Sequence, residues 1–311
     1  TCWTAGEALR FCEARGFSVP VDVCQRLRGS AAATLEHYLS HLVWKGSTAY
    51  PSTDGLAGEE PRIAHSAMLL LALFASHEGL VAKYRRCAEG LVAGILGQQH
   101  PGGSFRTSFN PGGMEEPLYS PSQSSYALLQ AQKFGVGDGD ALMTAALASM
   151  RHSADVLYPS LDLAERAFCA HWHIQAARAV LDTLPVQHPE AQRLVEYVAH
   201  LAQADLAPQG FLEHLEPPSY GRYKTASVGC AAEGALDAQH VLRRAGKHAA
   251  AAQLGAKAQR CFRFLAVVQD AAAFGAGSGG LGLSLTQPEQ RNDVTAHVAN
   301  AAMKQFALAA L

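Results

Sequence analysis

The chain has 311 residues, 49% of them hydrophobic and 17% charged, with a formal net charge of −2. That apolar content can fill a sizeable core and excludes a disordered chain. The balanced charge leaves no basic excess for a phosphate backbone, so no nucleic-acid partner is expected. The longest apolar run, Ala67 to Ala75, falls well short of the ~20 residues of a membrane span.

Apolar residues recur at helical spacing along the whole chain, and strand-type alternation is almost absent. The periodicity predicts helices over 5–15, 29–44, 62–77, 79–97, 121–134, 139–157, 161–183, 188–205, 225–246, 248–269 and 292–310. An all-α chain of helical hairpins is expected. Its connections alternate in length. Short ones fall around Glu78, Gly135 to Asp138, Leu184 to Val186 and Gly246; long ones cover 45–61, 98–120, 206–224 and 270–291. A tight Tyr158–Ser160 link is the exception. Antiparallel neighbours put alternate connections on opposite rims, so the long loops should share one rim. Three of them carry a glycine-rich turn: GQQHPGGSF (97–105), APQGF (207–211) and AGSGGLG (276–282). This is a weak internal repeat with a period of about 40–65 residues.

The segment GGSFRTSFNPGGMEEPLYSPSQSSYALL and the closing GGLGLSLTQPEQRNDVTAHVANAAM resemble α/α-toroid proteins. That group includes six-hairpin glycosidases, sugar epimerases and uronate-processing enzymes, terpenoid cyclases with protein prenyltransferases, and complement-type thioester domains. The resemblance implies an incomplete (α/α)6 barrel, one domain over 1–311, whole or cut from a longer protein. Its inner ring would be 5–15, 62–77, 121–134, 161–183, 225–246 and 292–310. The CGEQ thioester and DxDD cyclase motifs are absent. Of a prenyltransferase zinc set, Asp293 and His297 are present without a nearby Cys.

In such a ring the inner helices run parallel, and their N-termini meet at the long-loop mouth. Each N-terminus carries about half a positive charge and unpaired N–H groups, which favours an anionic or polyhydroxylated ligand. Candidate side chains lie near those termini. His65, His171 and His297 can move a proton near neutral pH. Tyr119 and Tyr223 can act as acids or stack on a sugar, and Glu233 is a candidate carboxylate. Arg62, Arg106, Arg166, Arg222 and Arg291 offer fixed forks for a carboxylate, with Trp172, His173 and Asp293 as further substrate contacts. His171 and His173 point about 200° apart on a helix and should not ligate one metal. GAGSGG (275–280) matches a dinucleotide-binding pattern, but an Ala-rich helix precedes it, so it reads as a turn.

The seven cysteines are widely spaced, with no CxxC pair, and read as buried small hydrophobes of a reducing compartment. No metal ligand set and no cofactor are expected. A soluble, cytoplasmic protein is expected; with no signal peptide visible and a start at Thr1, a removed leader stays open. The functional expectation is an enzyme on an acidic or polyhydroxylated sugar (an epimerase, lyase or glycosidase) using His, Tyr and carboxylate acid–base chemistry. Its ligand would be an anionic small molecule or oligosaccharide. The alternatives are a non-catalytic toroid that binds or scaffolds, and a terpenoid-cyclase-like enzyme.

Overall fold

The structure is a computed structural model and describes residues 2–115, 118–185, 187–206, 212–270, 281–284, 287–290 and 292–309. Helix accounts for 72% and strand for 5%, which makes the class all-α. Among the described residues no helix is long and apolar enough to cross a membrane. The APQGF and GAGSGG turns and Arg291 lie outside the described residues.

The chain divides into two compact units, Cys2–Leu161 and Asp162–Leu311. The first contains α1 (Cys2–Arg15), α2 (Val21–Ser40), β1 (Leu42–Lys45), β2 (Thr48–Pro51), α3 (Ile63–Ala75), α4 (Glu78–Lys83), α5 (Arg85–Leu96), α6 (Ser120–Lys133), α7 (Gly139–His152) and the single turn α8 (Tyr158–Ser160). Its centre is α3, IAHSAMLLLALFA, which is apolar from Ala67 onward and buried there except at Met68. It packs against α1, α5, α6 and β2. Phe74 of α3 stacks on Phe134, just after α6, with ring centroids 4.9 Å apart.

The expected helix 29–44 differs from the structure. The helix starts at Val21 and stops at Ser40, and LVWKGSTAYP forms an antiparallel hairpin with Lys45 opposite Thr48. Gly46, at φ 63, makes the tight reversal. Four-residue strands are too short to announce themselves by alternation. The hairpin is held because Gly94 of α5 lets Ala49 approach: a Cβ there would lie 2.3 Å from the Ala49 carbonyl oxygen.

The second unit contains α9 (Leu163–Leu181), α10 (Pro189–His200), α11 (Thr225–Arg244), α12 (His248–Asp270), a short hairpin of β3 (Gly282–Ser284) and β4 (Gln287–Gln290), and α13 (Asn292–Ala309). Local chemistry sets these boundaries. At the start of α9, Asp162 Oδ1 accepts from Glu165 N and Glu165 Oε2 accepts from Asp162 N, both at 2.9 Å, a reciprocal capping box. Helix α10 opens on Pro189, which needs no N–H partner there. Helix α11 ends on Gly246 at φ 73, with Lys247 N donating back to Leu242 O at 2.9 Å. The centre of this unit is α11, which packs against α9, α12 and α13.

A candidate acid–base and metal-ligating centre

Helices α9, α11 and α13 run parallel, because their contacts advance together. Near the start of α11, Gly229 faces His297 and Gly234 faces His171. Further along, Arg178 Nη1 donates to Asp237 Oδ1, and Lys304 Nζ bridges Glu233 Oε1 at 3.0 Å and Asp237 Oδ2 at 2.6 Å. At the far end Arg244 Nη1 donates to Asp182 Oδ1 at 2.9 Å and Arg243 Nη1 to Leu308 O at 3.4 Å. The two glycines make the close approach possible. A Cβ on Gly234 would lie 3.2 Å from His171 Cα, and one on Gly229 3.4 Å from His297 Cβ.

Between these contacts His171, Cys230 and His297 meet, one residue from each helix. Each offers a donor atom, and the three donors lie within 4.8 Å of one another. The two imidazole rings meet edge to face with centroids 5.3 Å apart, and the Trp172 ring stands 6.4 Å from that of His297. His171 is buried, and among the described residues its Nε2 has no hydrogen-bond partner. His297 uses Nδ1 to donate to Glu233 Oε2 at 2.9 Å. Glu233 and Asp237 are 3% and 1% exposed. Such carboxylates are costly inside a protein unless they are paired, and His297, Lys304 and Arg178 pair them.

The electrostatics follow from this packing. Burial raises the pKa of the Cys230 thiol, but the charge and hydrogen bonding of His171 and then His297 outweigh it and bring the thiol down to about 6. Burial lowers the pKa of His297, and its hydrogen bonds to Cys230 and Glu233 outweigh that, raising it to about 10. Burial works against the charged form of Glu233, yet Lys304 first and His297 next hold its carboxyl well below the usual range. Near neutral pH the centre is therefore a thiolate and a carboxylate on either side of an imidazolium. Cys261 shows the contrast: burial outweighs everything else there and pushes its thiol up to about 12.

The structure brings together three of the expected residues, His171, His297 and Glu233, with Trp172 beside them. His173 is buried on the other side of α9 and shares a 3.0 Å hydrogen bond with Tyr197 Oη, as the spacing of the two histidines requires. Arg166 is half-buried in the second turn of α9, Arg222 is exposed at the end of the 3-10 turn Pro217–Arg222, and Tyr223 follows it half-buried. Asp293 lies in the first turn of α13.

Arg62, His65, Arg106 and Tyr119 belong to the first unit. There Arg62 N donates to His65 Nδ1 at 3.2 Å at the start of α3, and burial pushes the pKa of His65 down. Arg106 Nε donates to Gln98 Oε1 at 2.6 Å, and Tyr119 immediately precedes α6.

The reading of the cysteines as buried small hydrophobes is corrected: only Cys169 and Cys261 are buried, the other five are half-buried, and Cys230 sits between two histidines. Asp237, Arg178 and Lys304 were likewise outside the expected set. A signal for all of them exists in the sequence. Cys230, Glu233 and Asp237 are spaced i, i+3, i+7; His171, Gln175 and Arg178 are spaced i, i+4, i+7; and His297 and Lys304 are seven apart. Each set lines one face of an otherwise Ala-rich helix. No protein-family model matches the chain, and no curated protein is significantly similar to it.

Proposed function

We propose that the chain is an enzyme whose acid–base centre is the His171–Cys230–His297 cluster backed by Glu233. The observation that carries this reading is the meeting of three reactive side chains, from three helices, within 4.8 Å over a buried carboxylate. A scaffold gains nothing from holding a thiol and two imidazoles together against a buried carboxylate. A proton donor and acceptor, in contrast, need fixed neighbours that hold their charge states apart.

For the substrate we propose an acidic or polyhydroxylated sugar, and for the fold an α/α toroid in which α9, α11 and α13 are inner-ring helices. The parallel course of these three helices supports that assignment. Epimerisation, elimination and glycoside hydrolysis all need a proton removed or delivered next to a ring carbon or oxygen, which His171 and His297 can do. The test is turnover on a panel of uronate-containing oligosaccharides and neutral glycosides by the wild type, His171→Ala and His297→Ala. Each substitution should cost at least ~100-fold, the contribution of a positioned acid or base. Full turnover by both variants, or no turnover by the wild type on any member, refutes the reading.

A further inference from the structure

We propose that His171, Cys230 and His297 together bind one zinc ion and leave a coordination position open. The inference rests on the choice of site above; with both imidazoles on the ion, the proton transfer assigned there to His171 and His297 would fall to a metal-bound water.

The donor set is one sulfur and two imidazole nitrogens, which suits zinc rather than magnesium or calcium. A tetrahedral zinc with bonds of about 2.0–2.3 Å holds its donors roughly 3.3–3.7 Å apart. Donors already within 4.8 Å reach that spacing by small side-chain rotations on fixed helices. Glu233 supplies the second observation. It takes Nδ1 of His297 at 2.9 Å, the carboxylate-to-imidazole contact that orients a metal-bound histidine. His171 supplies the third: it is 6% exposed, and among the described residues its Nε2 is buried without a hydrogen-bond partner.

Among the described residues the cluster offers three protein ligands, the number of a catalytic zinc, whereas structural zinc sites are closed by four. On binding, the ion takes Cys230 as a thiolate and each histidine through a neutral nitrogen, and the protons displaced from those groups leave to solvent. The ion would activate a water or polarise a substrate oxygen at the open position. Glu233 would hold His297 in place, and Lys304 would keep Glu233 ionised.

The test uses the full chain, stripped with a chelator and titrated with Zn²⁺ against a chromogenic competitor. The wild type should bind one equivalent. Cys230→Ser and His171→Gln should each lose at least 100-fold in affinity, Glu233→Gln should lose about 10–100-fold, and Cys87→Ser, in the first unit, should bind as the wild type does. Wild type that binds no zinc, or Cys230→Ser and His171→Gln that bind it unchanged, overturns the proposal. Should the variants not fold, the wild type decides. Zn²⁺ should block alkylation of Cys230, read peptide by peptide, and Co²⁺ in its place should show a thiolate-to-metal absorption band. Unprotected Cys230 and no such band overturn the proposal as well. Zinc bound at these residues without turnover on the sugar panel keeps the site and removes the sugar enzyme; turnover that depends on His171 and His297 without zinc binding does the reverse.

Discussion

Lys304 shows most directly what the polar core of the second unit depends on. Its ammonium touches both Glu233 and Asp237, and its side chain is 16% exposed. Removing one partner of a buried ion pair leaves an uncompensated charge, and here two carboxylates lose the cation they share. We expect Lys304→Met to lower stability by about 3–5 kcal/mol, measured by urea denaturation followed by circular dichroism. A loss below about 1 kcal/mol would mean that Arg178 and His297 alone satisfy the two carboxylates. Cys230 teaches a related lesson about reading residues singly. Among seven scattered cysteines only its place on one helix face with Glu233 and Asp237 sets it apart in sequence, and its character comes from residues 59 and 67 positions away. Burial alone would have made it resemble Cys261.

At the scale of elements, the helices were legible because apolar residues repeat at helical spacing and capping residues mark the ends. The start of α9 at Asp162 and the stop of α11 at Gly246 both lie close to where the sequence places them. The hairpin over 42–51 was not legible, since its strands are held by the surface of α5 rather than by their own alternation. Among the glycine-rich turns, GQQHPGGSF has a physical explanation. Gly103 adopts φ +89, and a Cβ there would sit 2.2 Å from the Ala148 carbonyl oxygen of α7, whereas a Cβ on Gly102 would meet nothing within 4 Å. Gly103→Ala combines a left-handed backbone with a clash against main chain. It should cost about 2–4 kcal/mol in urea unfolding, and Gly102→Ala less than about 1 kcal/mol. Equal effects at the two positions would show that the turn, and not its contact with α7, sets the requirement.

For the molecule as a whole, the two units solve the problem of a core differently. The first is built on an apolar helix; the second is built on α11, whose buried face carries a carboxylate network. Such carboxylates make stability depend on pH. Burial of Asp182 opposes its charge, but His240, Arg178 and Arg244 outweigh this and hold it below the ordinary carboxylate range. Glu213 is lowered in the same sense by Lys257, 2.6 Å away. A carboxyl whose native pKa is depressed stabilises the fold above its unfolded value, and that contribution disappears as pH falls through the native value. The urea midpoint should therefore hold down to about pH 5 and then fall steadily below about pH 4. A midpoint unchanged between about pH 5 and pH 3 would show that these pairs add nothing to stability.

Helix α13 brings both His297 and Lys304 to α11. Were that helix to lift away, Asp237 would keep Arg178, while Glu233 would lose both Lys304 and His297. Loss of that helix would take a member of the cluster and the cation shared by two buried carboxylates away together.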